Sequence, residues 1–140
     1  MTVAPQVAVL IVTHGDAAAA MRAALETLVG PTSVRGIAVL TVAPREPRAS
    51  LLERASEALA RLDQGAGVLV VCDLFGATPM NCVMELKRDG RRLEVLGGVN
   101  LPMLVKLATV DRTAATVAEL ARLAAETAIR SIRLGEGEAT

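Results

Sequence analysis

Aromatic residues are almost absent from this chain: Phe75 is the only one among 140 residues, and there is no Trp or Tyr. Stacking platforms for RNA or single-stranded DNA are therefore excluded. Neither sign of charge is in excess, with 15 Lys and Arg against 15 Asp and Glu, and no basic run exists. A nucleic-acid-binding role lacks its electrostatic footprint. No apolar stretch reaches the roughly 18–20 residues needed to span a bilayer, and no signal peptide is read before Val3. The expected location is the cytoplasm, without direct membrane insertion. Cysteine is scarce too: Cys72 falls in an expected buried strand and Cys82 in an expected helix, so both read as packed free thiols of a reducing compartment. With one histidine, His14, a zinc site would need both cysteines and a carboxylate at no familiar ligand spacing. Neither a metal nor a cofactor is expected.

What is present is a clean alternation of buried strands and amphipathic helices in a chain that is 52% hydrophobic. Residues 6–13 (QVAVLIVT) form an apolar run, and Asp16 is placed to cap a helix over 17–29 that Gly30-Pro31 stops. A strand over 34–42, weakened by Gly36, leads to a loop marked by Pro44 and Pro47. Ser50 and Glu53 have capping-box spacing ahead of an apolar stripe of Leu52, Ala55, Leu59 and Leu62. The β-branched run Val68 to Cys72 is the central strand, followed by a helix over 79–88, a strand over 93–98 and a helix over 101–110. Asp111 or Thr113 would cap a fifth helix carrying Val117, Leu120, Ala124 and Ala128. Residues 131–134 alternate polar and apolar and read as a short last strand or a helix end. Successive β-α units demand an α/β fold: an open, mainly parallel sheet of four strands flanked by helices on both faces. The expected organisation is one domain over 1–134 and a disordered tail over 135–140.

The chemistry-bearing residues gather at the strand ends. Asp73 closes the central strand, where a carboxylate is costly unless the strand opens into a polar site. Gly76 and Ala77 allow a tight turn, Thr78 is placed to cap the next helix, and Pro79 suits its first position. The amides of Gly76, Ala77 and Thr78 then form an anion pocket at a positive helix end. Upstream, Thr13-His14-Gly15 ends the first strand, and Val99-Asn100 follows the fourth. In a parallel sheet all three points lie at the carboxyl edge, where open α/β sheets bind ligands.

Familiar phosphate machinery does not match. There is no Walker-type or dinucleotide-binding glycine pattern. A receiver domain needs an acidic pair after its first strand, and phosphoglycerate-mutase and cobalt-chelatase sites need a second histidine. A single-histidine phosphoryl acceptor fits. Neutral imidazole attacks phosphorus with its own lone pair, and a carboxylate accepting from the other ring N–H fixes the tautomer and stabilises the phosphoimidazole. His14 is the expected acceptor and Asp73 its orienting partner. Gly76, Ala77 and Thr78 hold the phosphoryl oxygens, with Thr13, Gly15 and Asn100 as supporting residues and no Lys or Arg in the set. A binding module that senses an anion without being phosphorylated remains a competing reading, as does a merely structural histidine.

The Thr13-His14-Gly15 start, the segment Asp73-Leu74-Phe75-Gly76-Ala77-Thr78-Pro79-x-Asn81 and the segment Gly98-Val99-Asn100-Leu101-Pro102-Met103 resemble the mannose-family enzyme IIA of the bacterial sugar phosphotransferase system. The resemblance spans about residues 7–132. It implies that His14 takes phosphate from the phosphocarrier HPr and passes it to an enzyme IIB protein or domain for sugar uptake. Asp73 would orient the imidazole and Thr78 would contact the phosphate. It also implies a homodimer with a C-terminal antiparallel strand exchanged between protomers. Leu74 stands where sugar-transporting members often carry a hydroxyl, and Asp16 where an aromatic residue can occur. A stand-alone regulatory enzyme IIA without a sugar permease is the alternative, and the sugar itself is not legible.

Overall fold

Buried β-branched runs become strands because pleated geometry accommodates their stiff side chains, and here they assemble into one sheet. The computed structural model describes residues 4–136. In order, they form β1 (Ala8–His14), α1 (Ala17–Val29), β2 (Ile37–Val42), α2 (Arg48–Leu62), β3 (Val68–Cys72), α3 (Thr78–Arg88), β4 (Leu93–Leu96), α4 (Leu101–Thr109) and α5 (Val117–Arg130). The sheet order is β2-β1-β3-β4, and all three pairings are parallel. The four-stranded α/β class read from the sequence is borne out.

Strand periodicity divides the core into two layers. Leu10, Val12, Val70 and Cys72 face α2 and α3, meeting Leu51, Ala55, Met80 and Val83. Val9, Ile11, Leu69 and Val71 face the other way, onto Leu25 of α1, Leu104 and Leu107 of α4, and Leu120 of α5. Because residues alternate along β1, Thr13 belongs to the α1 side and His14 to the α2–α3 side. That alternation decides what each can touch. The order of connections reverses between β1 and β3, so the carboxyl ends of these two central strands flank the point where open sheets form a crevice.

Several local expectations are corrected. β1 begins at Ala8 and includes His14, and β2 begins only at Ile37. Gly36, at φ +77, turns the chain ahead of β2, and a Cβ there would collide with the Gln6 side chain. β4 ends at Leu96. Asp16 occupies the N-cap position of α1 but makes no side-chain cap; Thr13 Oγ1 accepts from the Ala18 N–H at 2.7 Å instead. α2 starts at Arg48, after an extended Pro47, so Ser50 lies inside its first turn. The N-cap of α3 is Ala77 and Thr78 is its first residue. α5 is capped by Thr116 in a reciprocal capping box with Glu119, rather than by Asp111 or Thr113. Asp111 instead accepts from the Thr113 N–H and hydroxyl in a turn.

No fifth strand occurs among the described residues: residues 131–134 leave α5 without joining the sheet. Of the expected tail, Gly135 and Glu136 carry no regular structure, and residues 137–140 lie outside the described residues.

Candidate functional site

β1 ends in His14 because the strand pairing continues to that residue. His14 stands opposite Val42, and the Gly15 N–H donates to the Val42 carbonyl at 3.1 Å. Gly15, at φ +54, then turns the chain into α1. On the neighbouring strand, β3 stops at Cys72, and the loop after β4 buttresses the turn beyond it. Gly98 N–H donates to the Asp73 carbonyl and Val99 N–H to that of Cys72. Gly97 lies so near Phe75 that a Cβ there would sit 3.0 Å from the Phe75 Cβ. These contacts fix the Asp73 backbone beside the end of β1.

The two side chains meet. His14 Nδ1 lies 2.8 Å from Asp73 Oδ2, and the same oxygen accepts from the His14 backbone N–H at 3.0 Å. Asp73 Oδ1 accepts from the Leu74 N–H at 2.9 Å. Burial by itself raises the Asp73 carboxyl, but the bonds from the His14 backbone, the His14 ring and the Leu74 backbone outweigh it and hold the group below its usual value. Asp73 is thus a carboxylate at neutral pH and can only accept, which requires the proton on Nδ1. Nε2 carries the lone pair, on a side chain that is half exposed. Nε2 has no hydrogen-bond partner among the described residues.

Against His14 lies a depression of about 410 Å³, lined by His14, Gly15, Val42, Ala43, Pro44, Arg45, Glu46, Thr78 and Pro79. Thr78 shares this depression, and its hydroxyl makes no hydrogen bond among the described residues. Nor do the N–H groups of Gly76, Ala77 and Thr78 find acceptors there. Gly76 and Ala77 do not line the depression itself. Gly76 faces an adjoining hollow with Phe75 and Met80, and its carbonyl accepts from the Asn81 amide. Thr13 is fully buried behind the site as the cap of α1. The Asn100 amide is turned elsewhere: its oxygen accepts from Met103 N–H to cap α4, and its nitrogen donates to the Ala128 carbonyl of α5. Asn100 therefore braces the α4–α5 pair instead of joining the imidazole.

Sequence reasoning missed Arg45, which it read only as part of a proline-marked loop. The sequence carried no signal for it: the structure pairs Val42 with His14, and the path of the loop after Val42 brings Arg45 to the depression. Arg45 also has φ +64, a left-handed conformation that costs a side-chain-bearing residue about 1 kcal/mol. Cys72, one residue from Asp73, is fully buried, and its thiol is pushed up to about 12 by burial and then by the Asp73 charge. It stays protonated and packs as a small apolar group. No group of His, Cys, Asp and Glu that would hold a metal occurs among the described residues.

Comparison with known proteins identifies the family. Residues 8–124 match the EIIA-man family, described as the PTS system fructose IIA component. The chain is 32% identical over 127 residues to the mannose-specific EIIAB component of Escherichia coli strain K12, covering 91% of this chain and 39% of that protein. It thus spans well under half the length of these curated relatives. It is 30% identical over 100 residues to the sorbose-specific EIIA component of Lacticaseibacillus casei, covering 71% and 70% of the two chains. The mannose/sorbose-specific IIA subunit from Enterococcus faecalis shares the fold, with a TM-score of 0.83 at 23% identity over 96% of this chain and 99% of the other. The chain belongs to the mannose-type enzyme IIA family of the phosphotransferase system.

Proposed function

We propose that this protein is a cytoplasmic phosphocarrier in which His14 accepts a phosphoryl group from phospho-HPr and hands it to an enzyme IIB partner. The observation that carries the reading is the 2.8 Å contact between His14 Nδ1 and Asp73, which leaves Nε2 as the nucleophile at an open depression. The Nε2 lone pair attacks phosphorus, a new N–P bond forms, and the donor's bond to phosphorus breaks with its electron pair returning to the donor. His14 keeps its Nδ1 proton, so the phosphorylated ring is cationic and Asp73 offsets that charge. In the onward step the acceptor attacks the same phosphorus and the electron pair returns to Nε2. The N–H groups of Gly76, Ala77 and Thr78, together with the Thr78 hydroxyl, receive the phosphoryl oxygens at the start of α3.

The same reading makes the protein a homodimer. β4 is a sheet edge, and an unpaired edge is a template for another strand. Ile132 shares a hollow with Leu96 of β4, and Ile132 and Leu134 are 79% and 81% exposed in the alternating segment 131–134. Exchange of that segment onto the partner's β4 covers both the edge and these side chains.

The test of the carrier role is transfer in both directions. The chain, labelled through enzyme I, HPr and phosphoenolpyruvate, is mixed with a mannose-type enzyme IIB and then with unlabelled HPr. Label that reaches both proteins supports the reading. Label that forms but reaches neither contradicts it.

A further inference from the structure

Charge at the mouth of the site is unbalanced. A phosphoryl group on His14 brings close to two negative charges near neutral pH, and Asp73 adds a third. The imidazolium supplies one positive charge. Phosphoryl oxygens at an uncompensated site of this kind attract a cation.

Arg45 lines the same depression as His14, Gly15 and Thr78. It is held there by register, since β2 ends at Val42 directly opposite His14. The loop's own carboxylate does not compete for it. Glu46 accepts from Arg54 Nη1, which also donates to the Thr41 carbonyl at 3.0 Å. The next cation along, Arg48, is paired with Glu85. Arg45 alone of these three arginines makes no hydrogen bond or ion pair with the described residues. It is also the only non-glycine described residue with positive φ. Glycine would relieve that strain, so the side chain stands at a position where the backbone disfavours having one.

We infer that the Arg45 guanidinium contacts the phosphoryl group carried by His14, making Arg45 a residue that sets how tightly this chain holds phosphate. The inference rests on the proposed role of His14 and adds to it. Guanidinium is suited to the task because its planar donors match a pair of phosphoryl oxygens. A phosphoryl group held this way is retained more strongly against the donor than one held by amides alone.

The test uses phosphoramidate, which phosphorylates imidazole chemically without any protein donor. Because His14 is the sole histidine, the label has one imidazole to occupy. Phosphorus NMR then follows the coupled titration of the phosphoryl group and its imidazole with pH in the wild type and in Arg45→Ala, Arg45→Lys and Arg45→Gly. The other charged groups at the site are the His14 ring, its partner Asp73, and Glu46 with its Arg54 partner. Asp73 is held below the usual carboxylate value by its hydrogen bonds to His14 and Leu74. The wild-type midpoint is expected about half a unit below those of the Ala and Gly variants, an approximately threefold difference in acidity. Arg45→Lys should recover most of it, and about 0.5 M salt should shrink it by screening. Arg45→Gly should also melt higher than Arg45→Ala, separating relief of backbone strain from loss of charge. Equal midpoints in wild type and Arg45→Ala would overturn the contact, whatever the melting temperatures. In a parallel arm, failure of phospho-HPr to label the wild type would reject the carrier role, while the chemical titration would still decide Arg45.

Discussion

The imidazole of His14 and the carboxylate of Asp73 are joined twice through one oxygen, by the ring Nδ1 at 2.8 Å and the backbone N–H at 3.0 Å. The backbone bond sets the carboxylate's position and the ring bond sets the tautomer. Both bonds end on the same oxygen, so the Asp73 rotamer that the backbone N–H holds also keeps the proton on Nδ1 and leaves Nε2 as the free ring nitrogen.

Asp73→Asn separates these functions. The fold should persist, because the amide oxygen can still accept from a backbone N–H. The ring loses a fixed anionic acceptor, so phosphoryl transfer to His14 should slow by about one to two orders of magnitude. That is less than the roughly 10⁴-fold loss from the same change in a buried hydrolase triad, since His14 is half exposed. Rapid-quench kinetics with phospho-HPr checks it, and an unchanged rate would remove Asp73 from the chemistry.

Asp73 also links stability to pH. Its folded-state pKa lies below the ordinary 3.8 because the His14 and Leu74 hydrogen bonds outweigh burial. A depressed carboxyl contributes stability above its unfolded pKa and loses it as pH falls through the folded value. The stability advantage of wild type over Asp73→Asn should therefore shrink as pH falls below about 4. Denaturant melts across that range measure it.

At the turn, Thr78→Val removes a hydroxyl while nearly preserving shape. It should cost about 1–3 kcal/mol of phosphoryl stabilisation when that hydroxyl is desolvated by the bound partner, and Ala77→Pro should remove one amide donor. The transfer equilibrium with HPr reports both. No shift in either variant would locate the phosphoryl group elsewhere.

Thr13→Val is a stability test with no predicted direct loss of phosphoryl contacts. Its buried hydroxyl caps α1 through the Ala18 N–H, and losing it should cost about 1–2 kcal/mol. In a domain of this size that lowers the melting temperature by roughly 2–6 °C.

The fold was legible because its strands are apolar, β-branched runs separated by helical stripes, and Val68–Cys72 matches the sequence reading residue for residue. Helix starts were less legible. Asp16, Ser50 and Thr78 are good capping types, but a cap depends on where the incoming strand delivers the chain. Thr13 reaches Ala18 only because β1 extends to His14 and Gly15 turns sharply. Thr116 and Glu119 did carry a readable capping-box signal, which the nearer Asp111 and Thr113 obscured. Residues 131–134 alternate like a strand, yet among the described residues they leave α5 without pairing to the open edge of β4. The meeting of His14 and Asp73 followed from parallel topology alone. The diversion of Asn100 to α5 and the arrival of Arg45 did not, because both depend on loop paths that periodicity does not encode.

Truncation after Ile129 addresses the C-terminal segment. The full-length chain should sediment as a dimer at micromolar concentration and the truncated chain as a monomer. A monomeric full-length protein would reject the exchanged-strand arrangement.

The central claim is that His14 accepts the phosphoryl group. Intact-mass spectrometry after incubation with enzyme I, HPr and phosphoenolpyruvate tests it most directly. The account predicts one added phosphoryl group on the wild type, lost on mild acid treatment, and none on His14→Ala. Full labelling of His14→Ala would contradict it.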